Sequence, residues 1–114
     1  MDNKEILKEN IKEYLKEASR AEKDSAFNSA TTLYFKALAV LIDLFLLREE
    51  GFIPSNHNER FRLLEMKYPP LYKVLDKDFP IYQQSYRLKL AKDHAEVLKN
   101  DFKGVIEFTG IRID

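Results

Sequence analysis

The sequence predicts an all-α domain, an up-and-down antiparallel bundle of four to five helices, and three observations carry that reading. Apolar residues recur at three- and four-residue steps along most of the chain, the period of a helix with one buried face. The 114 residues include only three glycines and four prolines, so long helices run unobstructed. The breakers fall between periodic segments, at Gly51 with Pro54, at Pro69-Pro70, at Pro80 and at Gly104. No repeat or linker divides the chain, which reads as one domain over residues 1–114.

The first helix covers about residues 3–23, with Ile6-Leu7, Ile11, Tyr14-Leu15, Ala18 and Ala21 as one apolar stripe. Glu5, Glu9, Glu13 and Glu17 each stand three residues before Lys8, Lys12, Lys16 and Arg20. Such pairs add about 0.2–0.5 kcal/mol each, and balanced charge at this spacing describes a solvated face. Asp24-Ser25 offers a break, and the second helix runs from there to about Glu50 along Phe27, Ala30, Leu33-Tyr34, Ala37-Leu38, Leu41-Ile42 and Phe45. From Ala37 to Leu47 it is apolar on nearly every side, so it must be covered on every side. A central position or a subunit interface would do that, and a homodimer is the expectation drawn from this surface. Lys36 and Asp43 share its one polar stripe.

Gly51 terminates the second helix and Pro54 keeps the connection extended. Asn56 and Glu59 then take the N-cap and N3 positions of a third helix, with Phe61 and Leu64 as its apolar contacts. Tyr68-Pro69-Pro70 stops it, and a short helix through Leu71, Val74 and Leu75 leads to a break at Phe79-Pro80. The last helix is expected from about Ile81 to Phe102, with Ile81, Ser85, Leu88, Ala91, Ala95, Leu98 and Phe102 facing inward and Gly104 just past its end. The tail, residues 104–114, is rich in Val, Ile, Phe and Thr and reads as a short extended segment.

Composition removes several function classes. Without cysteine there is no disulfide, thiolate metal site or cysteine nucleophile, and the chain suits a reducing, cytoplasmic setting. Nineteen basic and nineteen acidic residues cancel, so any contact with RNA must be local. The charged Met1-Asp2-Asn3-Lys4-Glu5 start holds no apolar leader. The stretch Ala37–Leu47 is too short to span a bilayer and is broken by Asp43, so no membrane association is expected. Helix-bundle metal sites place a glutamate three residues before a histidine, whereas Pro54 and Ala91 precede His57 and His94. Neither a metal nor a cofactor is expected, and phosphate-cradling glycine loops are missing.

The remaining chemistry lies near the end. On one continuous helix, the step from Arg87 to His94 turns through about 700°, within roughly 20° of the same face. An arginine grips phosphate in a fork and a histidine exchanges a proton near neutral pH, the two tasks of RNA cleavage. Arg87 and His94 are therefore the candidate catalytic residues, although flanking pairs of this kind are also common structural features of helices. Asp93, beside His94, could orient it, and His57 reads as a first-turn residue of the third helix.

Taken together, these features resemble the HEPN domain, a family of small helical bundles found in toxin–antitoxin pairs and beside minimal nucleotidyltransferases. The resemblance spans about residues 5–103: the long first helix, Thr32-Leu33-Tyr34-Phe35-Lys36-Ala37-Leu38 in the second, Pro54-Ser55-Asn56-His57 leading into the third, and the closing Arg87 and His94. It implies a homodimer, and for active members a metal-independent ribonuclease whose arginine and histidine stand a few residues apart. The spacing here is at the long end. The position after the arginine, polar in the ribonucleases, is Leu88, and Glu96 stands where some toxins carry a modifiable tyrosine. Two function classes stay open: a toxin-type endoribonuclease using Arg87 and His94, or a non-catalytic dimeric binding module that partners a nucleotidyltransferase or another protein.

Overall fold

In the computed structural model, which describes residues 1–114, Asp2 begins the first helix by accepting the Glu5 amide at 2.8 Å. Helix α1 (Asn3–Lys23) closes with the Ala26 amide on the Ala21 carbonyl at 2.8 Å and the Ser25 amide on Glu22 at 3.1 Å. That closure puts Ser25 at φ 57°, the left-handed position that glycine usually fills. Two of the four charge pairs along α1 close, Lys12–Glu9 at 3.3 Å and Arg20–Glu17 at 3.4 Å, both on the solvated face.

Helix α2 (Phe27–Glu50) returns along α1 and is the axis of the molecule. Between Ala37 and Leu46 every residue but the half-buried Val40 is buried. α1 and α5 (Lys92–Thr109) cover most of it, and α4 (Pro69–Gln84) covers the side that carries Phe35. The all-round apolar segment is thus explained by a central position, with Leu44 only 3% exposed. Most of the surface from which a homodimer was expected is covered within one chain, with Leu47 at its end half-buried. α2 is also the one helix long and apolar enough to cross a bilayer, with a mean hydropathy of 1.8, and 72% of that stretch is buried in the bundle.

Gly51, at φ 86°, ends α2. Asn56 caps α3 (His57–Lys67) by accepting the Glu59 amide at 2.9 Å, as its spacing from Glu59 predicts. Glu50 then ties the end of α2 to the α3–α4 corner, accepting from Lys67 at 2.7 Å and from the Tyr68 hydroxyl at 2.6 Å. Five helices and no strand account for 79% of the residues, an all-α bundle.

The last third of the chain departs from expectation in three places. α4 does not break at Phe79-Pro80; it runs through Pro80. An interior proline costs about 3 kcal/mol. Here Phe79 and Tyr82, on either side of it, close on Phe35 with centroids 5.8 and 4.5 Å away, and a break would part them. Next, the helix expected over Ile81–Phe102 is two helices, with a turn over residues 85–91; Leu88 and Ala91 are exposed and Leu90 is buried instead. Finally, Gly104 is not a terminator. α5 continues to Thr109 and stops at Gly110, φ 67°, so the non-helical tail shrinks to residues 110–114. Leu98, Phe102, Val105 and Thr109 extend the buried stripe at steps of four and three. Burying Val105 is worth about 1.5–3 kcal/mol, more than the roughly 1 kcal/mol a mid-helix glycine costs.

Candidate functional site

The turn between α4 and α5 is built by a side chain from another helix. α4 unwinds through the Arg87 amide on Gln84 at 3.1 Å and the Leu88 amide on Gln84 at 2.9 Å. Asn28, in the first turn of α2, then donates to the carbonyls of Ser85 at 2.9 Å and Leu88 at 2.6 Å and accepts the Leu90 amide at 2.9 Å. One amide thereby satisfies three backbone groups that a helix would otherwise pair. Thr32, one turn further along α2, donates to the Ser85 hydroxyl at 3.0 Å, and Ser85 donates to the Tyr82 carbonyl at 2.6 Å. Asn28, Thr32 and Ser85 are positioning residues that pattern reading missed; the only signal was a polar start to α2, Asn28, Ser29, Thr31 and Thr32, ahead of its apolar run.

This arrangement separates the two candidate residues onto different elements. Arg87 is exposed on the turn and lines a cleft of about 650 Å³ with Pro80, Gln84, Tyr86 and Leu88. His94 lies in the first turn of α5 and does not line that cleft. The shared-face argument for Arg87 and His94 therefore lapses, because no single helix carries both. The turn and the start of α5 hold three exposed cations, Arg87, Lys89 and Lys92; Asp93 follows in sequence, and Lys92 lies 3.8 Å from Glu96. Beside Arg87, the Tyr86 hydroxyl meets that of Tyr82 at 2.9 Å. The contact with Tyr86, and then burial, push the Tyr82 phenol up to about 12.

His94 also serves as a cap. Its Nδ1 accepts the Ala91 amide at 3.0 Å, the returning half of a capping box; the forward half is missing because alanine has no acceptor. Its side chain is 36% exposed, and Asp93 Oδ1 lies 3.5 Å from the same Nδ1. A neutral ring that accepts at Nδ1 carries its proton on Nε2 and can only donate there. To take a proton at Nε2, the ring must hold its own proton at Nδ1, which means exchanging the Ala91 amide for the Asp93 carboxylate.

Comparison of the chain with family models, curated proteins and solved structures finds no match.

Two further polar groups lie inside the bundle. Arg60 forks onto Asp43, Nε to Oδ1 at 2.7 Å and Nη2 to Oδ2 at 2.8 Å, and its third nitrogen meets His57 Nδ1 at 2.8 Å. Burial against Phe79 and Phe35, followed by the Arg60 charge, holds His57 below the usual histidine range. His57, exposed overall, thus belongs to a polar network that fastens α3 to α2. Across the bundle, Asp78 is fully buried beside Asp101, and Lys77 reaches Asp101 at 2.9 Å. Burial, then the hydrogen bond and charge of Asp101, raise Asp78 to about 8. As two carboxylates, neither could donate to the other; a proton on Asp78 turns the contact into a hydrogen bond.

Proposed function

We propose that this chain is a HEPN-like domain that engages the RNA backbone at the α4–α5 turn and cleaves it without a metal. In this reading Arg87 holds the phosphate and His94 moves the proton. The observation that supports it most is the Asn28 clamp, which fixes an exposed turn carrying Arg87 and Lys89 on a chain with no net charge overall. In the reactive form His94 holds its Nδ1 proton toward Asp93, and Nε2 takes the proton of a ribose 2′-hydroxyl. The 2′-oxygen bonds to phosphorus, the bond to the 5′-oxygen breaks, and that oxygen takes a proton from water. Arg87 stabilises the charge on the non-bridging oxygens. A mixed RNA pool incubated with the protein in EDTA tests the proposal. Cleavage should appear for wild type and fall about 10²–10⁴-fold for His94→Ala, with a comparable loss for Arg87→Ala. Asp93→Asn should abolish cleavage while leaving RNA binding intact. Cleavage that survives either of the first two substitutions places the chemistry elsewhere.

A second reading is favoured by the cap. Because His94 Nδ1 is occupied by the Ala91 amide, the observed ring is a donor and not a base. Tyr86 and Leu88 stand 73% and 55% exposed beside Arg87, an apolar patch suited to a protein contact. The chain would then be a non-catalytic binding module, forming a homodimer or partnering a minimal nucleotidyltransferase through this patch. RNA untouched in EDTA, with a two-chain mass lost in Leu88→Glu, would select it.

A further inference from the structure

The first turn of α1, the end of α2 and the chain beyond α5 meet in a second cleft of about 650 Å³, well inside the usual range for small-molecule sites. It lies near the end of α2 remote from Asn28. The 19 residues from Asn28 to Leu47 place the two regions roughly 30 Å apart along the helix. Leu44, Leu47 and Ile111 supply its apolar lining, and Lys4, Lys8 and Arg112 its free cations. The fourth cation there, Arg48, is held by Glu49 at 2.9 Å and lies 5.4 Å from the Phe45 ring. The one carboxylate in the lining, Asp2, caps α1 and offsets only part of the charge of the three free cations. No aromatic ring lines the cleft, so a nucleobase would find no stacking platform.

We propose that this cleft binds an aliphatic anion, its acyl chain lying over Leu44, Leu47 and Ile111 and its carboxylate or phosphate head among Lys4, Lys8 and Arg112. The amphipathic lining selects for both parts. A bare anion gains only exposed, salt-screened charge pairing, and an uncharged chain leaves three cations without a partner. Together the two parts bury apolar surface and bring opposite charge to a partly desolvated rim.

Calorimetric titration with decanoate tests this, alongside decyl phosphate, decanol, acetate, inorganic phosphate and AMP. Decanoate or decyl phosphate should bind at least tenfold more tightly than decanol, acetate or inorganic phosphate, and the stronger of the two identifies the preferred head. The double variant Lys8→Gln with Arg112→Gln, which alters only side chains outside the buried core, should weaken that binding at least tenfold with an unchanged melting temperature. Binding that persists undiminished in the double variant overturns the proposal. So does decanoate binding no tighter than acetate, or AMP binding more tightly than either aliphatic anion.

Discussion

Asp43 and Asp78 occupy the same small bundle at 7% and 0% exposure, and their neighbours could hardly differ more. Asp43 faces a guanidinium that matches both of its oxygens; Asp78 faces another carboxyl, and the Lys77 ammonium, 4.0 Å away, is drawn closer to Asp101 at 2.9 Å. The first has a fixed counter-charge within hydrogen-bonding reach of both oxygens. The second keeps a proton because that is the cheapest way to occupy a dry site beside an acid. Burial pushes an interior aspartate toward its neutral form, and the partner it meets there opposes or reinforces that push.

Removing Arg60 is the most severe way to break this contrast. Arg60→Ala leaves Asp43 buried without its partner and should cost about 3–5 kcal/mol in urea unfolding. Replacing both ends, Asp43→Leu with Arg60→Met, should recover most of that loss, since well-packed apolar side chains often replace a buried pair without penalty. A single Arg60→Ala loss below about 1 kcal/mol would show that the pair is far weaker than its geometry implies.

Asn28 sharpens the comparison from the neutral side, because its amide meets three backbone partners and needs no charge to do so. Asn28→Ala should cost about 1–3 kcal/mol. It should also loosen the α4–α5 turn, raising amide exchange at residues 85–91 while the α1–α2 pair stays protected. Uniform exchange across the whole chain would mean that Asn28 stabilises the bundle at large and not the turn.

The most diagnostic effect is a pH slope, and it lies in Asp78. A carboxyl raised to about 8 keeps its proton in the fold after the unfolded chain has lost it near the ordinary value of 3.8. Between those values the folded state binds more protons, so this group's contribution to stability falls as pH rises. The steepest slope is about 1.4 kcal/mol per pH unit. Wild type should lose melting temperature between about pH 4 and 8 and level off above that, and Asp78→Asn, which needs no proton, should flatten the curve. An unchanged slope in the variant would assign the pH dependence to other groups.

The fold was readable wherever local chemistry decided it. The stripe of α1, the stop at Gly51 and the Asn56–Glu59 cap follow from residues within a few positions of one another. The all-round apolar run of α2 announced that it would be covered, but two kinds of cover were open and the structure uses the bundle. Failures came where distant contacts outweighed local preference. Pro80 stays helical because Phe79 and Tyr82 share Phe35, and residues 85–91 leave the helix because Asn28, about 60 positions earlier, takes over their hydrogen bonds. The candidate site was legible as residue types, Arg87 and His94, but not as geometry. Its geometry depends on that same long-range amide and on a cap, His94 on Ala91, that the spacing of residues did not reveal.

The clamp has a kinetic side as well. The Leu90 amide has a side-chain oxygen as its acceptor and no helical ladder behind it, and that oxygen belongs to a residue 62 positions away. Closing so long a segment carries an entropic cost that local helix formation does not. The turn bearing Arg87 should consequently set last in folding and open first in the native state, as a local opening with its own free energy well below that of global unfolding. A partner that grips the closed turn would stabilise it against that opening, slowing the exchange of Leu90 and raising the melting of the bundle by the same free energy.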